Sequence, residues 1–208
     1  SNLQEVYALQ RAWGLMCKKG EIKRVLKEGE KMAKVAVMMA NGFEEIEALS
    51  VVDILRRAGV ETSMVALDNS LEVSGAHGVS LRADVVFNEY DFASADMIVL
   101  PGGLPGAEYL AKSDKLSQKL KEAKANNKKL AAICAAPWAL SAAGVLGEHY
   151  TCYPGFEGTV NHAGYRADKN VVIDGNIITS RGPATAMEFA LMLVRELCGE
   201  QKYSELKS

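Results

Sequence analysis

Cys134 is the residue whose type and position best suit nucleophilic chemistry in this sequence. It directly follows an apolar run at residues 130–133, which is typical of a buried strand, and Pro137 suits the first turn of a helix. A cysteine at a helix start lies beside unpaired N–H groups that favour the thiolate. We therefore predict a nucleophile on a tight strand-to-helix turn, with a pKa below the ~8.5 of a free thiol. The alternative is a cysteine that only packs.

Gly102 and Gly103 follow a second apolar run, residues 97–100. Because glycine has no side chain, the backbone N–H groups here could approach a bound oxyanion, together with the N–H of Ala135. A plain tight turn after a strand is the alternative interpretation. The pair does not form the GxGxxG dinucleotide pattern, so a nicotinamide cofactor is not indicated.

Three glutamates, Glu44, Glu45 and Glu47, lie where a third apolar run gives way to a helical pattern. Carboxylates in the first turn of a helix are stabilised by the helix dipole, which is a sufficient explanation for two of them. Spacing alone does not single out Glu47, which lies on a face similar to that of Glu44.

Strand-like runs alternate with helical segments along the chain, which predicts an α/β fold with a mostly parallel sheet and helices on both faces. In such sheets ligands bind beyond the carboxyl ends of the strands, so the residues above should converge on one rim. We predict strands at residues 34–39, 61–67, 97–100 and 129–133, hairpins over 71–87 (at a sheet edge) and 171–179, and helical segments at 44–58, after the Pro-Gly-Gly segment through residue 126, at 137–143 and at 184–197.

The first 31 residues are predicted to be an N-terminal helical extension to an α/β domain that covers residues 32–208. An apolar stripe with helical spacing predicts a helix over residues 3–16, and Gly20 should interrupt the helical pattern. At Met32 the pattern changes to a buried strand, so the extension is either a genuine appendage or the result of an upstream start site. We expect no chemistry in it.

Composition restricts the classes of partner. The 208 residues carry a formal net charge of −2, whereas proteins that bind nucleic acid usually present a basic surface. No apolar run approaches the ~20 residues needed to cross a bilayer, and the N-terminal segment reads poorly as a targeting peptide, which predicts a cytoplasmic protein. The cysteines lack zinc-like spacing, so free thiols and no metal are predicted. We expect Cys152 and Cys198 to pack and His77 to be a solvated turn residue.

Five segments together resemble the ThiJ/PfpI superfamily, on the branch of the parkinsonism-associated protein deglycase and its bacterial relatives. They are GFEEIE at 42–47, VDILRRAG at 52–59, LPGG at 100–103, AAICAAP at 131–137 and TSRGPAT at 179–185. The resemblance covers about residues 33–199. It implies a flavodoxin-like sandwich, a homodimer and a site without a cofactor.

The resemblance also implies roles for individual residues. Cys134 would be the nucleophile and Glu47 its protonated hydrogen-bonding partner. Gly103 and Ala135 would supply the N–H groups of an oxyanion hole, and Gly102 would border the substrate pocket.

Two positions differ from relatives, and one matches them. In the intracellular-protease branch a histidine follows the cysteine and acts as base, but here Ala135 follows, so peptidase activity is not expected. Tyr153 stands where the human-type branch has a histidine, and it would either donate a hydrogen bond to substrate or form an aromatic wall. Arg57 matches an arginine that reaches toward the dimer partner in the family, and a solvated helix charge is the alternative.

The resemblance favours a cysteine-dependent glyoxalase or deglycase that acts on methylglyoxal, a small carbonyl, or on glycated protein. A peroxide sensor or redox-regulated chaperone would use the same cysteine and is the first alternative. A role in thiamine biosynthesis is a further alternative that no residue of this sequence supports.

Overall fold

The computed structural model describes residues 32–207, so the predicted extension and its helix over residues 3–16 lie outside the described residues. The strands are β1 (Lys34–Met39), β2 (Glu61–Ala66), β3 (Glu72–Ser74), β4 (Ser80–Arg82), β5 (Val85–Val86), β6 (Met97–Leu100), β7 (Lys129–Ile133), β8 (Val171–Asp174) and β9 (Ile177–Ser180). Seven of them form one sheet in the order β5-β2-β1-β6-β7-β9-β8. All neighbours are parallel except β8 and β9, which form an antiparallel hairpin.

Six α-helices accompany the sheet within the described range: α1 (Glu45–Arg57), α2 (Gly106–Ala111), α3 (Asp114–Ala125), α4 (Pro137–Ala142), α5 (Glu157–Val160) and α6 (Ala186–Lys207). Backbone angles that are not helical interrupt α6 at Gly199. Over residues 32–207, no helix combines the length and apolar character that a membrane span requires.

The side chains of β1 show why this sheet is covered on both faces. Val35 and Val37 point to one face, where they join a core formed with α1 and α6. Ala36 and Met38 point to the other face, where α3 and α4 pack. All four side chains are fully buried, as expected for a central parallel strand between two helical layers. The predicted mostly parallel sheet with helices on both faces is confirmed.

The predicted edge hairpin over residues 71–87 is wrong in its placement. Strands β3 and β4 pair antiparallel as a separate two-stranded sheet, and only the two-residue β5 joins the main sheet. A backbone bridge between Phe43 and Gly75 attaches this small sheet beside the start of α1. Most side chains of β3 and β4 are exposed, so they lack the apolar content that a strand of the main sheet needs.

Three features of the helices also differ from the sequence prediction. The single helical segment expected up to residue 126 is two helices, because the hydroxyl of Ser113 accepts the Leu116 N–H and starts α3 anew. The predicted end of the last helix at residue 197 lies two residues before the non-helical Gly199, and the helical stretch after Gly199, which reaches Lys207 within α6, was not predicted. The short helix α5 was not predicted, since its four residues are too few to show a helical period.

Candidate active site

The carboxyl ends of β1, β6 and β7 lie side by side because these strands are parallel neighbours in the sheet. The segments that follow them carry Glu47, the glycine pair Gly102 and Gly103, and Cys134 with Ala135. The predicted convergence of these segments on one rim is therefore confirmed.

Cys134 occupies a strained position on the turn between β7 and α4. Its φ angle of 64° lies in the left-handed region, which few residues other than glycine adopt. Two backbone hydrogen bonds hold it there, since its N–H donates to the Ser180 carbonyl (3.0 Å) and its carbonyl accepts from the Tyr153 N–H (2.9 Å). The side chain is half-buried, so the sulfur is held at one point of the rim rather than packed inside the strand.

Glu47 is fully buried on the first turn of α1. The Glu44 side chain caps this helix by accepting the Glu47 N–H (2.8 Å), which fixes the backbone of Glu47. Its Oε2 accepts the Gly102 N–H (2.8 Å), whereas Oε1 is buried without a donor among residues 32–207. Burial raises the pKa of this carboxyl to about 7, the Glu44 charge adds to the rise, and hydrogen bonds from Gly102 and the Cys134 thiol oppose it.

The thiol pKa does not move in the direction that the sequence predicts. Burial is the largest cause and raises the pKa of Cys134, and the negative charge of Glu47 together with its hydrogen bond raises it further. The backbone N–H groups of Gly103 and Ala135 lower it, but these opposing effects are smaller. The prediction of a lowered thiol pKa is therefore wrong while Glu47 is ionised. It considered only the position of Cys134 at a helix start, and not the burial of the thiol or the nearby carboxylate.

The two groups thus share one titration rather than having independent ones. A single negative charge can lie on either Glu47 or Cys134, and the second charge is strongly disfavoured by the first. A proton on the unpartnered Oε1 of Glu47 would remove the repulsion and turn that oxygen into a donor. The geometry therefore allows a thiolate beside a carboxylic acid, with two N–H groups directed at the sulfur.

Glycine is required at both positions of the pair after β6. A Cβ atom on Gly102 would lie 2.6 Å from Cβ of Cys134 and 2.7 Å from Oε2 of Glu47. Gly103 has a φ angle of 89°, and a Cβ atom there would lie 2.4 Å from the Glu44 nitrogen. A larger residue at position 102 would displace Cys134 or Glu47, and one at position 103 would displace the backbone that leads into α1.

A cavity of ≈ 370 Å³ adjoins this rim, and Tyr153 forms part of its wall with half of its side chain exposed. Gly182 links the cavity to the reactive pair, because a Cβ atom on it would lie 3.1 Å from the Tyr153 ring and 4.0 Å from Oε1 of Glu47. The sequence analysis identified Tyr153 but not Arg181, although the TSRGPAT segment begins in the last two residues of β9, which is paired with β7. The lining residues are Tyr153, Pro154, Asn170, Arg181, Gly182, Pro183, Ala184 and Thr185.

Arg57 lies on the exposed side of α1, where its guanidinium pairs with Asp53 one turn earlier. This ion pair agrees with a solvated helix charge, and a contact with a dimer partner stays a prediction.

Glu44, Glu45 and His77 form a cluster whose ligand-type atoms lie within 4.8 Å of one another. The Glu45 carboxylate accepts the His77 N–H (2.6 Å) and contacts its ring Nδ1 (2.9 Å), which raises the pKa of His77. His77 is exposed as predicted, but it also fastens the β3–β4 sheet to α1. Pairing between the imidazole and the carboxylates accounts for the cluster without an ion.

Comparison with known proteins matches residues 33–196 to the DJ-1/PfpI family. The chain is 40% identical over 188 residues to Protein DJ-1 homolog B of Arabidopsis thaliana, a match that covers 89% of this chain and 43% of that protein. It is 36% identical over 164 residues to the protein named Glutathione-independent glyoxalase DJR-1.2 of Caenorhabditis elegans, covering 78% and 87%. The crystal structure of Drosophila melanogaster DJ-1beta superposes with a TM-score of 0.82 at 38% identity, covering 85% of this chain and 96% of that one.

The chain belongs to the DJ-1/PfpI family, and its sheet and helices form the flavodoxin-like α/β fold of that family. It spans less than half the length of the Arabidopsis relatives that it matches.

Proposed function

We propose that this protein is a cysteine-dependent, cofactor-free enzyme of the glyoxalase or deglycase type. The observation that carries the proposal is the buried Glu47 carboxyl, with a pKa of about 7, in contact with the half-buried Cys134 thiol. A group with this pKa can both donate and accept a proton near neutral pH, which is what rearrangement of a carbonyl compound needs. The name of the Caenorhabditis elegans relative supports the same class of reaction.

In the first step, the Cys134 thiolate adds to the aldehyde carbon of methylglyoxal and a carbon–sulfur bond forms. The carbonyl electron pair moves onto the oxygen, which takes the proton of Glu47 and gives a neutral hemithioacetal. The N–H groups of Gly103 and Ala135, which face the sulfur, are placed to stabilise the oxyanion as it develops.

In the second step, the Glu47 carboxylate removes the proton from the carbon that bears sulfur and passes it to the ketone oxygen, and an enediol forms. Glu47 then takes the hydroxyl proton from the carbon that bears sulfur and delivers it to the neighbouring carbon, which gives a thioester of lactate. Water then cleaves the carbon–sulfur bond, which releases lactate and restores the thiol. One methylglyoxal and one water thus become one lactate, and glutathione is not consumed.

The test is lactate formation from methylglyoxal by the purified full chain in the absence of glutathione. We expect turnover that is lost in Cys134→Ala. If wild type makes no lactate but hydrogen peroxide converts Cys134 cleanly to the sulfinate, detected as a mass increase on that residue, the redox-sensor function replaces the proposed one. That second candidate is favoured by the donors around the sulfur, because Gly103, Ala135 and a protonated Glu47 would also stabilise a sulfinate.

We also propose that the protein acts as a homodimer, with Arg57 near the contact between the two copies. Helix α1 leaves Ile46 and Leu49 exposed in the described chain, and a partner would cover such apolar side chains. We expect sedimentation velocity at micromolar concentration to show a dimer, and Ile46→Glu to shift the population toward monomer. A wild-type monomer under these conditions contradicts the proposal.

A further inference from the structure

Arg181 lies directly after β9 and lines the cavity beside the reactive pair. No carboxylate oxygen among residues 32–207 lies within 4 Å of its guanidinium, although four other arginines in this range have such a partner. Those four are Arg56, Arg57, Arg82 and Arg166. Arg181 is partly buried, and its positive charge acts on Tyr165, whose pKa it lowers against a larger rise from burial. Glu157 also acts on Tyr165 but does not pair with Arg181.

The cavity around Arg181 contains one positive charge and no negative one in its lining. The other lining residues are neutral: two prolines, glycine, alanine, asparagine, threonine and tyrosine. Its volume of ≈ 370 Å³ lies in the range of small-molecule sites, about 300–1,000 Å³. A partly buried guanidinium in such a cavity gains most from an anionic group of a ligand, because the described residues supply no carboxylate within 4 Å of it.

This cavity is close to the reacting atoms through two residues of the same segment. The carbonyl of Ser180 accepts the Cys134 N–H (3.0 Å), so the residue before Arg181 is hydrogen-bonded to the turn that holds the nucleophile. Gly182, on the other side of Arg181, faces Oε1 of Glu47. A ligand that extends from the sulfur past Gly182 would therefore reach the Arg181 side of the cavity.

We propose that the preferred substrates are 2-oxoaldehydes that carry a carboxylate, and that Arg181 binds this carboxylate; the inference rests on the proposed function. A single guanidinium matches the single charge of a carboxylate and offers it two parallel N–H donors. The aldehyde carbon would face Cys134 while the carboxylate lies in the cavity. For 4,5-dioxopentanoate the reaction takes up one water and yields 2-hydroxyglutarate, by the steps given above for methylglyoxal.

The experiment compares kcat/KM for 4,5-dioxopentanoate and for its methyl ester, which has the same reacting carbons but no charge. We expect the acid to be preferred roughly tenfold to hundredfold, the worth of a charged hydrogen bond. Arg181→Gln should bring the ratio to about one, and Arg181→Lys should restore part of it. Arg82→Gln, which removes an exposed arginine of the β3–β4 sheet, is the matched control and should keep the wild-type ratio.

A ratio near one in wild type, or a ratio that Arg181→Gln leaves unchanged, overturns the inference while leaving the glyoxalase function in place. If neither compound is turned over while methylglyoxal is, the inference fails and the glyoxalase function stands. If methylglyoxal is not turned over either, the proposed function fails, and calorimetry with 2-hydroxyglutarate then tests the site by itself. Binding that weakens at least tenfold in Arg181→Gln supports a carboxylate site, whereas no binding, or equal binding by both proteins, rejects it. A matching circular dichroism spectrum and Tm for each variant shows that the fold is intact.

Discussion

Glu47→Gln should lower kcat/KM for lactate formation from methylglyoxal by about 10²–10⁴, the usual contribution of a positioned acid and base. Glutamine can keep the hydrogen bond with the Gly102 N–H and can donate to the sulfur, so the site stays filled. It cannot release and recover a proton, which the passage from hemithioacetal to thioester requires. The loss should therefore be in turnover rather than in substrate binding, and is measured by steady-state assay at pH 7.

Two controls make this result specific to Glu47. Glu61→Gln makes the same change at an exposed carboxylate, where a surface ion pair with Lys34 contributes little, and should behave as wild type. Oxidation of Cys134 by peroxide should be largely retained in Glu47→Gln, because that step needs the sulfur but not a shuttled proton. Methylglyoxal turnover at the wild-type rate in Glu47→Gln would show that the role assigned to this carboxyl is incorrect.

Glu47 should also make the stability of the protein fall as the pH rises. The pKa of this carboxyl is about 7 in the folded protein, against an ordinary value of 4.5. Below pH 4.5 the Glu47 carboxyl is protonated in both the folded and the unfolded chain, so folding does not bury a charge there. Between pH 4.5 and 7 the unfolded chain releases it first, and unfolding becomes easier. Above pH 7 the full cost of burying the charge is present, on the order of 3 kcal/mol.

The measurement is urea unfolding between pH 4 and 8 of two proteins, Cys134→Ala and Cys134→Ala with Glu47→Gln. The Cys134→Ala background removes the titration of the thiol. The glutamine protein should gain stability relative to its parent as pH rises, by up to ~3 kcal/mol at pH 8. Glu45→Gln in the same helical turn should change in the opposite direction. Burial raises the pKa of Glu45, but the hydrogen bonds from His77, from the Val79 N–H and from its own N–H together outweigh burial and lower it. A stability difference for Glu47→Gln that does not vary with pH would contradict a buried proton on this carboxyl.

The central strands and the rim could be predicted from sequence because a strand that is buried on both faces consists of a continuous run of apolar residues. β1, β6 and β7 have the predicted bounds, since continuous apolar runs end where the backbone reaches the rim. Cys134 and the glycine pair could be located for the same reason, as they come directly after such runs. Glu47 could not be distinguished from Glu44 and Glu45 by spacing, and only the family resemblance singled it out.

Other features depend on tertiary contacts that no local pattern records. The direction of the Cys134 pKa depends on how deeply the thiol is buried and on a carboxylate from a helix 87 positions earlier in the chain. The unpaired state of Arg181 depends on the absence of carboxylates from the surrounding described segments, which sequence spacing does not show. The separate β3–β4 sheet depends on contacts of Gly75 and His77 with the start of α1.

The left-handed backbone of Cys134 has a consequence for protein engineering. The φ angle of 64° raises the conformational free energy of any residue with a side chain at this position, and only glycine adopts it without that cost. The nucleophile therefore stands where the most stable residue would be an inert one, an instance of trade-off between stability and activity. A library selected only for thermal resistance would drift toward glycine at position 134, whereas β-branched threonine would be poorly tolerated there. Alanine is the fairest replacement for studying the sulfur, because it removes the thiol and leaves the demand on the backbone unchanged.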